Sequence, residues 1–203
     1  TLAGVVRAHV ALKETGAAES GLKLAIGCRL VFADGTPDLL AYPKDRTAYG
    51  RLSRLLSLGK RRAEKGECHL TFDDLLAERE GLLLILIPPE KIGNETIETL
   101  KKLVAHIPDH LWLGAIPLHH GRDKTRLRHL AELANYYDIP LIALNDALYH
   151  HPDRRRVQDV FTCIREHKTI ETIGKKLEAH AERHLKGATT MAYLFRDHPE
   201  ALT

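Results

Sequence analysis

The residues whose types and spacing best suit chemistry lie in Ile139-Pro140-Leu141-Ile142-Ala143-Leu144-Asn145-Asp146-Ala147-Leu148-Tyr149-His150-His151. A short apolar run that stops abruptly at an Asn-Asp pair reads as a strand buried on both faces, as parallel sheets require. In parallel α/β folds the carboxyl ends of the strands form the ligand face. Asp146 and the histidines that follow it would therefore point into any site. Clustered imidazoles and a carboxylate can hold a metal ion or polarise a phosphoryl oxygen. The same Asn-Asp pair also suits a turn or a helix cap, and on these residues alone both readings stand.

A second histidine pair, His119-His120, falls in the predicted loop Pro117 to Gly121. Thirteen histidines among 203 residues favour a metal site, but a count carries no geometry. Basic residues cluster in Lys60-Arg61-Arg62 with Lys65 and in Arg154-Arg155-Arg156. Arg61, Arg62, Arg154 and Arg155 are the candidate phosphate or partner contacts, against the plainer reading of solvated helix faces. The net charge of +3 is compatible with nucleic acid without demanding it. Cys28, Cys68 and Cys163 are far apart, odd in number and without a CxxC pair, so they are expected to be reduced thiols in a cytoplasmic protein.

Positioning these residues requires a folded core. Apolar residues make up 44% of the chain and charged ones 28%, which is globular composition and excludes a disordered chain. No run reaches the about 18 apolar residues that a membrane-spanning helix needs. The predicted elements are a helix over residues 1–14 with Thr1 as N-cap, a strand over 22–26, and a hairpin turning at Asp34-Gly35. A helix over 45–62, a short capped helix at 71–76 and a strand over 82–87 follow. Next come a helix over 94–106 with Asn94 as N-cap, a strand over 111–116, a helix over 122–137 and the strand at 139–144. Beyond it, a helix to about Glu166 carries Val157, Val160, Phe161 and Ile164 on its apolar side. Shorter helices follow near 169–173 and after Gly187, so the tail is expected to be helical. The strand–helix alternation between 80 and 150 predicts an α/β fold with mainly parallel strands and helices outside.

Five stretches carry a family resemblance: Leu2-Ala3-Gly4-Val5-Val6-Arg7-Ala8-His9, Tyr49-Gly50-Arg51-Leu52-Ser53-Arg54-Leu55, Gly59-Lys60-Arg61-Arg62-Ala63-Glu64-Lys65-Gly66, Gln158-Asp159-Val160-Phe161-Thr162-Cys163-Ile164-Arg165 and Ala181-Glu182-Arg183-His184-Leu185-Lys186. In this order they resemble the N-terminal PHP (polymerase and histidinol phosphatase) domain of bacterial C-family DNA polymerases, in the error-prone DnaE-type branch. The resemblance implies an incomplete (β/α)7 barrel-like domain over residues 1–174 that lacks its first strands. Residues 175–203 would be a helical segment leading toward a polymerase core outside this chain. The parent would be a DNA-directed DNA polymerase, a nucleotidyltransferase using Mg²⁺ in translesion synthesis and DNA repair. Its partners would be the remainder of its chain, DNA and damage-tolerance proteins, with no membrane.

Ligand-bearing members of the family hold a metal at the barrel mouth. Where they have Gly-x-Glu, this chain has Gly27-Cys28-Arg29, and where they have Asp-x-His it has Asp146-Ala147-Leu148. Arg29 and Leu148 offer no lone pair to a metal, and a hydrolytic centre needs at least three protein ligands. The resemblance thus implies a degenerate metal site and a non-catalytic scaffold with no cofactor of its own. Arg29 would either replace the metal's charge beside Asp146 or point to solvent. The alternative is an independent metal-dependent phosphoesterase of the PHP superfamily, built on Asp146 and the histidine-rich loops.

Overall fold

The computed structural model describes residues 2–202, so the N-cap expected of Thr1 lies outside the described residues. The chain is α/β, with seven α-helices and a mixed sheet of five strands among the described residues. In chain order the elements are α1 (Val5–Glu14), β1 (Cys28–Leu30), β2 (Leu39–Pro43), α2 (Arg46–Arg62), α3 (Phe72–Glu78), β3 (Leu82–Leu86), α4 (Asn94–His106), β4 (Leu111–Ala115), α5 (Asp123–Tyr136), β5 (Leu141–Ala143), α6 (Arg155–Arg165) and α7 (Ala188–Leu194). The chain divides into two compact units, residues 1–114 with 133–140, and residues 115–132 with 141–203.

In the first unit, β3 is a Leu/Ile run with Leu82, Leu84 and Leu86 fully buried, flanked by β2 on one side and β4 on the other. Its pairing with β4 is parallel, but β1–β2 and β2–β3 are antiparallel. The expectation of mainly parallel strands is therefore corrected. The Asp34-Gly35 hairpin is as predicted: Asp34 accepts from the Thr36 N–H at 3.1 Å, Gly35 takes φ +84°, and Leu30 pairs with Leu39. The strand predicted at 22–26 is absent, because Leu22 and Leu24 are exposed and extended pairing begins only at Cys28. Gly27 stands against the ring of Tyr42, where a Cβ would come within 2.4 Å.

Two helices of this unit show why sequence caps are readable. Asp45 opens α2 by accepting from the Ala48 N–H at 2.8 Å, and Ala48, Leu52, Leu55, Leu56 and Gly59 form its buried stripe. Thr71 and Asp74 form a capping box at α3, and Asp34 reaches across to accept from the Phe72 N–H at 2.7 Å. The N-cap of α4 is Gly93, with Asn94 one residue inside the helix, a correction of one position.

Asp74 links this cap to the basic end of α2. Partial burial pushes its carboxyl upward. The hydrogen bonds from Arg62 Nη1 at 2.6 Å and from the Thr71 N–H and hydroxyl outweigh that and hold it below its ordinary value. A depressed folded-state pKa adds stability that is complete above the ordinary carboxylate range and lost as pH falls through the folded value. Asp74→Asn should therefore cost about 1–2 kcal/mol at neutral pH. Urea unfolding of the two proteins should converge in acid, and a gap independent of pH would contradict the assignment.

In the second unit, the Leu144 N–H, just past β5, donates to the Ala115 carbonyl at 2.9 Å. Phe195 and Ala201 are buried, and the 3-10 turn at Pro199–Leu202 lies against β5. A further 3-10 turn at Pro152–Arg154 leads into α6. The predicted helix near 169–173 is only a turn, capped by mutual Thr169–Thr172 hydrogen bonds, so the tail is not wholly helical. The face of α6 turned inward is not the apolar one. Thr162 and Cys163 are buried, whereas Val157, Val160, Phe161 and Ile164 are exposed.

Candidate functional site

Chemistry-bearing side chains of the second unit gather where the chain leaves β5. Asp146 has a left-handed backbone, φ +46°, which re-aims the chain at the strand end. Two segments then run together: the Leu148 N–H donates to the Arg183 carbonyl at 2.8 Å, and the Leu185 N–H donates to the Tyr149 carbonyl at 3.0 Å. With its amide oriented to satisfy both ends, Asn145 donates to the His184 carbonyl at 2.9 Å and accepts from the Lys186 N–H at 2.7 Å. The Asn-Asp pair thus serves as a clasp as well as a strand terminus.

This clasp puts Arg183 on Asp146. Its Nη2 donates to Asp146 Oδ2 at 2.6 Å, its Nε to the Asp146 carbonyl at 3.2 Å, and its Nη1 to Glu178 Oε1 at 2.8 Å. Arg155 extends the network by donating through Nη2 to the Glu178 carbonyl at 2.6 Å, with Asp159 3.8 Å from its Nε. All three side chains of the Asp146–Arg183–Glu178 triad are about three-quarters buried. A fork of donors shared between two carboxylates is geometry that Arg supplies and Lys cannot. Burial pushes the neighbouring Tyr149 hydroxyl up, and the Glu178 charge adds to that.

The histidine-rich loop of the same unit is tied by Asp123, which accepts from the Leu118 and His119 N–H groups at 2.8 Å each. His180 donates through Nε2 to the Leu118 carbonyl at 3.0 Å and accepts at Nδ1 from the Glu182 N–H at 3.3 Å, so both ring nitrogens are engaged. The rings of His119 and His120 meet His180 edge-on at 5.6 and 5.9 Å. Desolvation lowers the His119 pKa, which favours the neutral ring, although Glu182 opposes the shift. Among the described residues, no group of three or more His, Cys, Asp or Glu side chains is arranged to hold a metal ion.

The other sequence candidates fall as follows. Arg29, in β1 of the first unit, pairs through Nε with Asp38 at 2.6 Å. Leu148 is exposed and hydrocarbon, and so does not fit a ligand position. Arg62 is engaged by Asp74 and Arg155 by Glu178. Arg61 and Arg154 are exposed and make no ion pair among the described residues, and Arg61 borders a cleft of about 430 Å³ beside Arg54 and Glu78. His150 and His151 are exposed. Arg183 and Glu178 were missed as site residues. Arg183 lies in a stretch that carries the family resemblance, but its partner is 37 positions away and no local pattern marks the pair.

No protein-family model matches the chain. Curated relatives match it from end to end. It is 54% identical over 203 residues to an error-prone DNA polymerase of Rhodopseudomonas palustris, covering 100% of this chain and 18% of that protein. An error-prone DNA polymerase of Bradyrhizobium diazoefficiens is 51% identical over 208 residues, again with 100% and 18% covered. One from Brucella abortus is 49% identical over 203 residues, with 100% of this chain and 19% of that protein covered. The chain thus spans less than a fifth of the length of these relatives. Over its whole length it is homologous to a segment of bacterial error-prone DNA polymerases.

Proposed function

We propose that the chain is the PHP-type domain of an error-prone DNA polymerase of the C family, acting as a non-catalytic scaffold. The observation that carries this reading is the end-to-end similarity to error-prone DNA polymerases at about half identity. The parent would synthesise DNA across lesions in the cytoplasm, with Mg²⁺ held by palm carboxylates outside these 203 residues. Residues 1–174 would form the barrel-like domain, and 175–203 would lead toward the polymerase core. Among the described residues, no helix is long and apolar enough to cross a membrane.

The scaffold role is supported by what occupies the matched metal positions. Arg29 and Leu148 are not ligands, and the Asp146 carboxylate is taken up by a guanidinium at 2.6 Å. A fixed cation there neutralises the carboxylate that a metal would otherwise hold, which suits a domain kept for its shape. DNA phosphates or damage-tolerance proteins would meet the exposed Arg61 and Arg154.

Two assays on the native gene product test the reading. Primer extension with Mg²⁺ on damaged and undamaged templates should show nucleotide incorporation, and none should come from these 203 residues alone. Metal analysis after dialysis should find Zn²⁺ and Mn²⁺ well below one ion per chain at this domain, unchanged by Asp146→Ala. One tightly held ion lost with Asp146→Ala, together with phosphoester hydrolysis, would replace the scaffold with the metal-dependent phosphoesterase.

A further inference from the structure

Helix α6 is oriented against its own amphipathicity. Val157, Val160, Phe161 and Ile164 recur at i, i+3, i+4 and i+7 and are 46%, 47%, 62% and 63% exposed. Such spacing forms one continuous stripe. The face packed inside the second unit carries Thr162 and Cys163, with Arg155 and Asp159 half-buried beside them. The stripe continues into an open groove of about 690 Å³ lined by Val160, Ile164, Lys168, Ile170 and Thr172, and Ile170 is itself 59% exposed. Single exposed apolar side chains are ordinary, but a contiguous stripe with an adjoining groove marks an interface.

Two observations select the occupant. The rim of the stripe is mainly basic: Arg156 and Lys168 are exposed along it, Arg165 and Lys176 pair with Glu166, and Glu171 is the exposed acid at the end of the groove. A partner with an acidic rim is therefore favoured electrostatically. In the homologous polymerases more than four-fifths of the chain lies outside the matched segment. We infer that the exposed face of α6 and its groove are a docking surface for an acidic-rimmed amphipathic helix from the remainder of the same polymerase chain. An i, i+3, i+4, i+7 ridge is the shape a second helix packs against. Val157, Phe161 and Ile164 are its anchors, and Lys168 faces the partner's acids. The inference rests on the polymerase reading and adds the surface by which the domain is held.

Two measurements on the native gene product test it. Hydroxyl-radical labelling should modify Phe161 and Ile164 roughly tenfold or more slowly than in the urea-unfolded chain, the protection of a packed interface core. Carbodiimide coupling should join Lys168 to an Asp or Glu of the same chain outside these 203 residues. Phe161→Glu should restore labelling of Ile164 and abolish the cross-link. If the protein extends primers while Phe161 labels at the unfolded rate, the docking surface is wrong and the polymerase reading stands. A cross-link from Lys168 to a second copy, with a dimer in sedimentation, also overturns the inference. A gene product with no further chain overturns both.

Discussion

Arg183→Met should destabilise the second unit by about 3 kcal/mol, because it takes from two largely buried carboxylates the guanidinium that they share. Asp146 and Glu178 are 26% and 30% exposed, and the Arg183 fork also donates to the Asp146 carbonyl. Lysine provides one point charge where two carboxylates and a carbonyl share a planar group. Arg183→Lys should therefore recover less than half of the loss. Adding Asp146→Asn and Glu178→Gln to the methionine variant should restore most of it, since neutral amides no longer need a counter-charge. Urea unfolding followed by tyrosine fluorescence measures all of these. A change in Arg183→Met below about 0.5 kcal/mol, the level of an ordinary surface substitution, would mean that the network is incidental.

Leu84→Ala should cost about 4 kcal/mol, the upper part of the range for removing a fully buried leucine where the neighbours cannot collapse. Leu84 is at the centre of β3, paired with Ala41 on one side and Leu111 on the other, with no exposed surface. Leu83, one residue earlier, points to the half-buried face opposite Tyr42, and its alanine variant should lose only about 1 kcal/mol. Denaturant midpoints give both values. Equal losses would show that β3 is not sandwiched as described.

How far the chain can be read without coordinates depends on the range of each interaction. Asp45, Thr71 and Asp74 act within three or four residues, and α2 and α3 begin where those residues predict. The β3 and β4 runs are apolar enough to be strands wherever they are placed. The direction of β3 is another matter. Two helices separate it from β2, and a connection of that length permits either direction, so the antiparallel pairing is visible only in the structure. Leu22 to Ile26 misled because alternating apolar residues match a strand whether or not a neighbouring strand exists to pair with it. At the site, Asp146 stood out as a strand-end acid, but its partner comes from the far end of a long excursion. The stripe on α6 was legible as a stripe, and the side of the helix it would face was not.

The clasp between residues 145–149 and 183–186 has a topological consequence. Everything from His150 to Glu182, including α6, leaves and returns through one neck joined by backbone and side-chain hydrogen bonds. A segment tethered at both ends to the same point is nearly independent in length of what lies beneath it, because doubling a closed loop adds only about 0.6 kcal/mol of closure entropy. The length of chain between the two sides of the neck is therefore a weak determinant of stability, and what holds the register of the strands beneath it is the neck itself.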